Sequence, residues 1–175
     1  QELSITNTLA DEDVLGSFSY AWNRAGTAIS GATSATYTLT QSDVGSAITV
    51  TVSYTDGQNT AESSTSAATA AVANVNDNPT GSVTITGSAA EDQVLTAANT
   101  LADADGLGNI TYQWKRTSGG QSTNIGANAT TYTLTQLEVG STITVTASYT
   151  DGQGTAETST SAATAAVANV NDAPT

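Results

Sequence analysis

The chain has no cysteine, methionine or histidine, and Arg24, Lys115 and Arg116 are its basic side chains. Without Cys or His it has no thiolate or imidazole to bind a metal, no catalytic thiol and no histidine base, so zinc-finger and Ser-His-Asp chemistry are excluded. Oxygen ligands remain, and these suit hard cations such as calcium. Three basic against 16 acidic residues give a net charge of −13, the wrong sign for nucleic acid or an anionic membrane, where clustered Lys and Arg must displace counterions. There is also no apolar run of about 18 residues and no basic segment ahead of an apolar one, so neither a membrane span nor a signal peptide is expected.

Large aliphatic residues are scarce as well. Leu, Ile, Val and Phe make up 29 of 175 positions, fewer than about 20%, which with this charge is the composition of a disordered chain. Threonine compensates with 34 residues, because a β-branched side chain fits a pleated, half-exposed surface while adding little hydrophobicity. The expectation is a folded β protein with lean cores.

What is present is a repeat. Residues 36–80 align with 131–175 at an offset of 95, with 38 of 45 positions identical. Upstream the offset is 92: Leu9-Ala10-Asp11-Glu12-Asp13 meets Leu101-Ala102-Asp103-Ala104-Asp105, and Tyr20-Ala21-Trp22 meets Tyr112-Gln113-Trp114. Gln1 aligns with Gln93, so residues 81–92 lead the second copy and have no counterpart in the first. The expected domains are 1–79 and 80–175 with a linker at about 74–80, the first lacking its initial strand, as in a piece of a longer array. If 81–92 begin with a strand, the first copy is expected to expose a sheet edge that invites pairing with another chain.

Periodicity within each copy is two. Phe18, Tyr20 and Trp22 share a face, as do Ile110, Tyr112 and Trp114; Ile48, Val50, Val52 and Tyr54 recur as Ile143, Val145, Ala147 and Tyr149. Glycine turns at Ala25-Gly26, Val44-Gly45 and Asp56-Gly57 separate the strands. The two tryptophans read as core residues rather than sugar platforms. The segment 66–75 is rich in alanine, which favours helix, but its place at the end of an all-β repeat favours a final strand.

In the second copy Tyr112-Gln113-Trp114, Thr131-Tyr132-Thr133-Leu134-Thr135, Glu138-Val139-Gly140 and Ile143-Thr144-Val145-Thr146-Ala147 follow one another in an order that resembles an immunoglobulin-like domain without its disulfide. The resemblance is closer to tandem repeats of large bacterial surface adhesins of the RTX, biofilm-associated type. It is carried by Leu-Ala-Asp-Ala-Asp-Gly-Leu-Gly from Leu101 and Ala-Asn-Val-Asn-Asp-Ala-Pro-Thr from Ala168. Asn74-Val75-Asn76-Asp77-Asn78 and Asp103-Ala104-Asp105 also resemble cadherin linkers and loops. These resemblances imply an all-β chain of two tandem immunoglobulin-like antiparallel sandwiches, extracellular at a bacterial cell surface, with calcium at the joints between neighbouring repeats. The metal ligands they imply are Asp11, Asp13, Asp56, Asn76, Asp77, Asp103, Asp105 and Asp151, with Asp43, Glu91 and Asp92 as further candidates. An EF-hand is excluded, because its bidentate Glu at loop position 12 would fall on Trp114.

The function expected is a structural extender supporting adhesion or biofilm formation, not an enzyme. Two alternatives stand beside it: a module binding a sugar or protein, and a spacer of a secreted polysaccharide-degrading enzyme. A ligand site shared by both copies is not expected at 25–34 or 117–128, where the copies differ most.

Overall fold

A computed structural model describes residues 1–171. The chain forms two compact units that divide between Val75 and Asn76. Asp172, Ala173 and Pro174 of the second linker-like motif lie outside the described residues.

The first unit contains β1 (Glu2–Ser4), β2 (Ser19–Arg24), β3 (Thr27–Ala28), β4 (Thr36–Thr38), β5 (Ile48–Thr55) and β6 (Ala61–Thr65). The second contains β7 (Val83–Thr86), β8 (Val94–Asn99), β9 (Thr111–Ser118), β10 (Gln121–Ala127), β11 (Thr131–Thr133), β12 (Thr142–Thr150) and β13 (Ala156–Thr160). Strand pairing is antiparallel throughout. The sheet orders are β1-β4 and β3-β2-β5-β6 in the first unit, β11-β8-β7 and β10-β9-β12-β13 in the second. The protein is thus all-β, and no helix among the described residues is long and apolar enough to cross a membrane.

The period of two explains the strands. In β12, Ile143, Val145, Ala147 and Tyr149 are buried while the intervening Thr142, Thr144, Thr146 and Ser148 are half-buried. In the second unit Trp114 is fully buried in a cluster that draws Val83 and Leu95 from one sheet and Ile143 and Val145 from the other. The first unit repeats the plan around Trp22, Ile48 and Val50. Each indole N–H donates to a backbone carbonyl, Trp22 to Ser34 and Trp114 to Ala129, at 2.9 Å in both cases. The tryptophans are therefore core residues.

Two features are not regular strand. A 3-10 turn at Gln41–Asp43, repeated at Gln136–Glu138, begins with a capping box in which Thr40 or Thr135 exchanges bonds with the acidic residue three places on. The alanine-rich segment after β6 is extended, but it is neither helix nor continuous strand. Ser66, Thr69 and Val72 donate their N–H groups to Val50, Ile48 and Ser46, while the Ser66 and Thr69 hydroxyls accept from the Val50 and Ile48 N–H groups. Contact falls at every third residue, so Ser and Thr oxygens replace the carbonyls that a period-two ladder would supply. Ser161, Thr164 and Val167 do the same in the second unit.

Candidate metal centre

In the first unit the loop before β2 and the turn after β5 converge. One carboxylate oxygen each from Asp11, Asp13 and Asp56 lies within 4.8 Å of the others. Local hydrogen bonds hold each residue in place. The Asp13 N–H donates to Asp11 Oδ1 at 2.9 Å, which closes an Asx turn, and the Tyr54 hydroxyl at the end of β5 donates to Asp11 Oδ2 at 2.9 Å. Asp56 is buried, and its Oδ1 accepts from the Gln58 and Thr60 N–H groups at 2.9 and 2.7 Å.

A glycine lets the two loops touch. The Gly57 N–H donates to the carbonyls of Asp13 and Val14 at 2.8 and 3.1 Å. A Cβ at Gly57 would stand 2.4 Å from the Asp13 oxygen, inside any tolerated contact. The Asp-Gly pair is thus a loop-to-loop weld as well as a turn.

The second unit builds the same frame. The Asp105 N–H donates to Asp103 Oδ1, the Tyr149 hydroxyl to Asp103 Oδ2, and the Gly152 N–H to the carbonyls of Asp105 and Gly106. Asp151 Oδ1 accepts from Gln153 and Thr155 at 2.9 and 2.7 Å. Its Oδ2 is buried and has no hydrogen-bond partner among the described residues. This frame also takes up the segment that enters the unit: the Asp77 N–H donates to Asp105 Oδ2 at 2.7 Å, and the Asn76 amide donates to Glu157 Oε1 at 2.8 Å. Burial, and then the bond to Asp103, push the Tyr149 phenol above its ordinary value. The bond to Asp11, and then burial, do the same to Tyr54. Each tyrosine is thus held as a neutral donor to its carboxylate.

The remaining expected ligands stand elsewhere. Asp43 lies ahead of β5 and Asp56 beyond its end, with the strand's eight residues, about 27 Å of extended chain, between them. Asp43 is fully buried, bonded by Arg24 Nε at 2.7 Å, the Tyr37 hydroxyl at 3.0 Å and the Thr40 N–H at 2.7 Å. Burial raises its pKa, but the bonds from Thr40, Arg24 and Tyr37 outweigh this and hold the carboxyl below its ordinary value. Glu138 is buried at the equivalent position of the second unit, 3.5 Å from Arg116 Nη1. Glu91 is buried beside the end of the second unit, where its Oε2 accepts from the Val170 N–H at 3.2 Å, and the Gln136 amide, oriented with its nitrogen toward Glu91, donates to both of its oxygens. Asp92 is exposed, in a left-handed turn at φ 61°.

Three contributions are absent from the sequence reading: the hydroxyls of Tyr54 and Tyr149, the Glu157 side chain, and the weld at Gly57 and Gly152. The tyrosines carried a signal, since each lies two residues before an Asp-Gly pair at the end of an apolar strand. Glu157 carried none.

Chemically, the arrangement gathers oxygen acceptors and like charge. Arg24 and Arg116 pair with Asp43 and Glu138, not with this cluster. Three carboxylates that close repel one another unless a cation lies between them, and their hard oxygens suit calcium. No protein-family model and no curated protein sequence matches the chain.

Proposed function

We propose that this chain is two tandem immunoglobulin-like repeats of a large bacterial surface adhesin, acting outside the cell as a calcium-stiffened extender. The observation that carries the reading is the convergence of Asp11, Asp13 and Asp56 within 4.8 Å without a basic partner among the described residues. In the second repeat Asp103, Asp105 and Asp151 share the hydrogen-bonded frame, although the 4.8 Å convergence is that of the first repeat's trio, and the buried Asp151 Oδ2, without a hydrogen-bond partner among the described residues, is a second reason to place a cation there. A buried carboxylate oxygen without a donor costs several kcal/mol of lost hydration, which a bound cation offsets.

The sheet orders support the immunoglobulin-like part of the reading. With β7 taken as strand A, the second unit pairs A-B-E in one sheet and C′-C-F-G in the other, the arrangement of such a sandwich. The mechanism is electrostatic. Without the ion, carboxylates repel and the loops loosen. With it, the loops are cross-linked, and in the second repeat the ion adds to the bonds that already hold the entering segment Asn76-Asp77 to Glu157 and Asp105. The other partners of each repeat are its neighbours in the array, and no reaction is assigned to the carboxylates.

Isothermal titration of the chain with calcium is expected to give dissociation constants of about 10⁻⁴ to 10⁻³ M, the range of extracellular modules. Asp13→Asn should remove binding to the first repeat and Asp105→Asn binding to the second. Unaltered calcium heats in the double variant would refute the site.

A further inference from the structure

The two units have nearly the same sequence after residue 36 but unequal cores, and the difference lies at one sheet edge. In the second unit β8 is sandwiched: β11 pairs with one side of it and β7 with the other. In the first unit β1 occupies the place of β8 and pairs with β4 in the equivalent register, Ser4 opposite Thr36 where Thr96 stands opposite Thr131. Its other side has no strand among the described residues.

Burial records the consequence. Leu95, Ala97 and Leu101 are buried beneath β7, which contributes the buried Val83 and the half-buried Ile85. Their counterparts Leu3, Ile5 and Leu9 are each only half-buried. The Ile5 N–H donates toward the β4 side, to Ala35. By strand alternation, the backbone groups of Ser4 and Thr6 face the open side.

We infer that the open edge from Ser4, the last residue of β1, through Asn7 beyond it is a strand-accepting site whose occupant is an antiparallel segment with the alternation of Val83-Thr84-Ile85-Thr86. The second unit supplies both the occupant and the register. There Val83, Thr84, Ile85 and Thr86 stand opposite Asn99, Ala98, Ala97 and Thr96, so the equivalent residues of the incoming strand stand opposite Asn7, Thr6, Ile5 and Ser4. Main-chain bonds to Ser4 and Thr6 give the affinity, and the two apolar side chains cover Leu3 and Ile5, which sets the specificity. This inference is independent of calcium.

The test uses the full 175-residue chain, ¹⁵N-labelled, with a capped synthetic peptide of sequence Gly81 to Ala89 added in excess. The expected result is slowed amide exchange at Ser4 and Thr6, together with a rise in the first unit's melting temperature. A peptide with Asp at the positions of Val83 and Ile85 should produce neither. A second chain, with the sequence 81–92 fused directly ahead of Gln1, keeps the native spacing to the edge and removes the entropic cost of bimolecular binding. Its first unit should melt about 5 °C or more higher. An unchanged melting temperature in the fused chain would overturn the inference. So would concentration-dependent dimers held through β1 that neither peptide nor fusion dissolves, because the occupant would then be a second copy's edge.

Discussion

Val14 carries backbone strain in the first acidic loop. It adopts φ 73°, where its equivalent in the second repeat is Gly106 at φ 97°. A β-branched residue in the left-handed region is an outlier that the surrounding structure must sustain. Its side chain is 70% exposed, so little packing offsets the strain, and Val14→Gly should stabilise the first unit by about 1 kcal/mol, read as a higher melting temperature. Asp43 gives a pH prediction. Its folded pKa lies below the ordinary carboxylate value because the bonds from Thr40, Arg24 and Tyr37 outweigh burial. The stability it contributes is therefore complete above the unfolded value of 3.8 and is lost as pH falls through the lower folded value. Melting curves of the first unit between pH 5 and 2 should show this loss, and Asp43→Asn should flatten it. The sequence displayed the acidic residue before the glycine turn but not its partner, because Arg24 is 19 residues away and side-chain pairing across that distance leaves no local pattern.

At the level of elements, strands with one apolar and one threonine face were readable because a buried face imposes strict alternation, as Ile143, Val145, Ala147 and Tyr149 do. The segment after β6 was not readable in that way. Its alanines signal helix and its position signals strand, yet the tether comes from Ser66 and Thr69, and from Ser161 and Thr164, at a spacing of three. Ser161→Ala tests this. The Val145 N–H lies in buried surroundings and donates to the Ser161 hydroxyl at 3.1 Å, so the substitution should cost the second unit about 1 to 3 kcal/mol. Ser66→Ala, at an exposed position, should cost less. Denaturant unfolding of both variants gives the comparison. The acidic frame was half legible: Asp11, Asp13 and Asp56 stood among the ligands that the resemblance implied, whereas the weld at Gly57 depends on a 2.8 Å approach between segments some forty residues apart.

On the scale of the whole molecule, a chain poor in aliphatic residues folds by repeating one lean core twice and by placing Asp11, Asp43, Asp56 and their counterparts Asp103, Glu138 and Asp151 in turns and corners where backbone and side-chain donors hold them. The duplication made the repeat readable from identity alone. The unequal burial of Leu3 and Leu95 needed the structure, because it depends on which strand covers them. The central claim is that calcium closes the acidic frames. At ten times its dissociation constant, an ion that binds only the folded state adds about 1.4 kcal/mol per site. The direct measurement is thermal unfolding of the chain in EDTA, in millimolar magnesium and in millimolar calcium, for the natural sequence and for Asp13→Asn with Asp105→Asn. The expected result is a rise in melting temperature that calcium gives and magnesium does not, and that the double variant loses. Equal melting temperatures in calcium and EDTA, or an unchanged rise in the variant, would contradict the account.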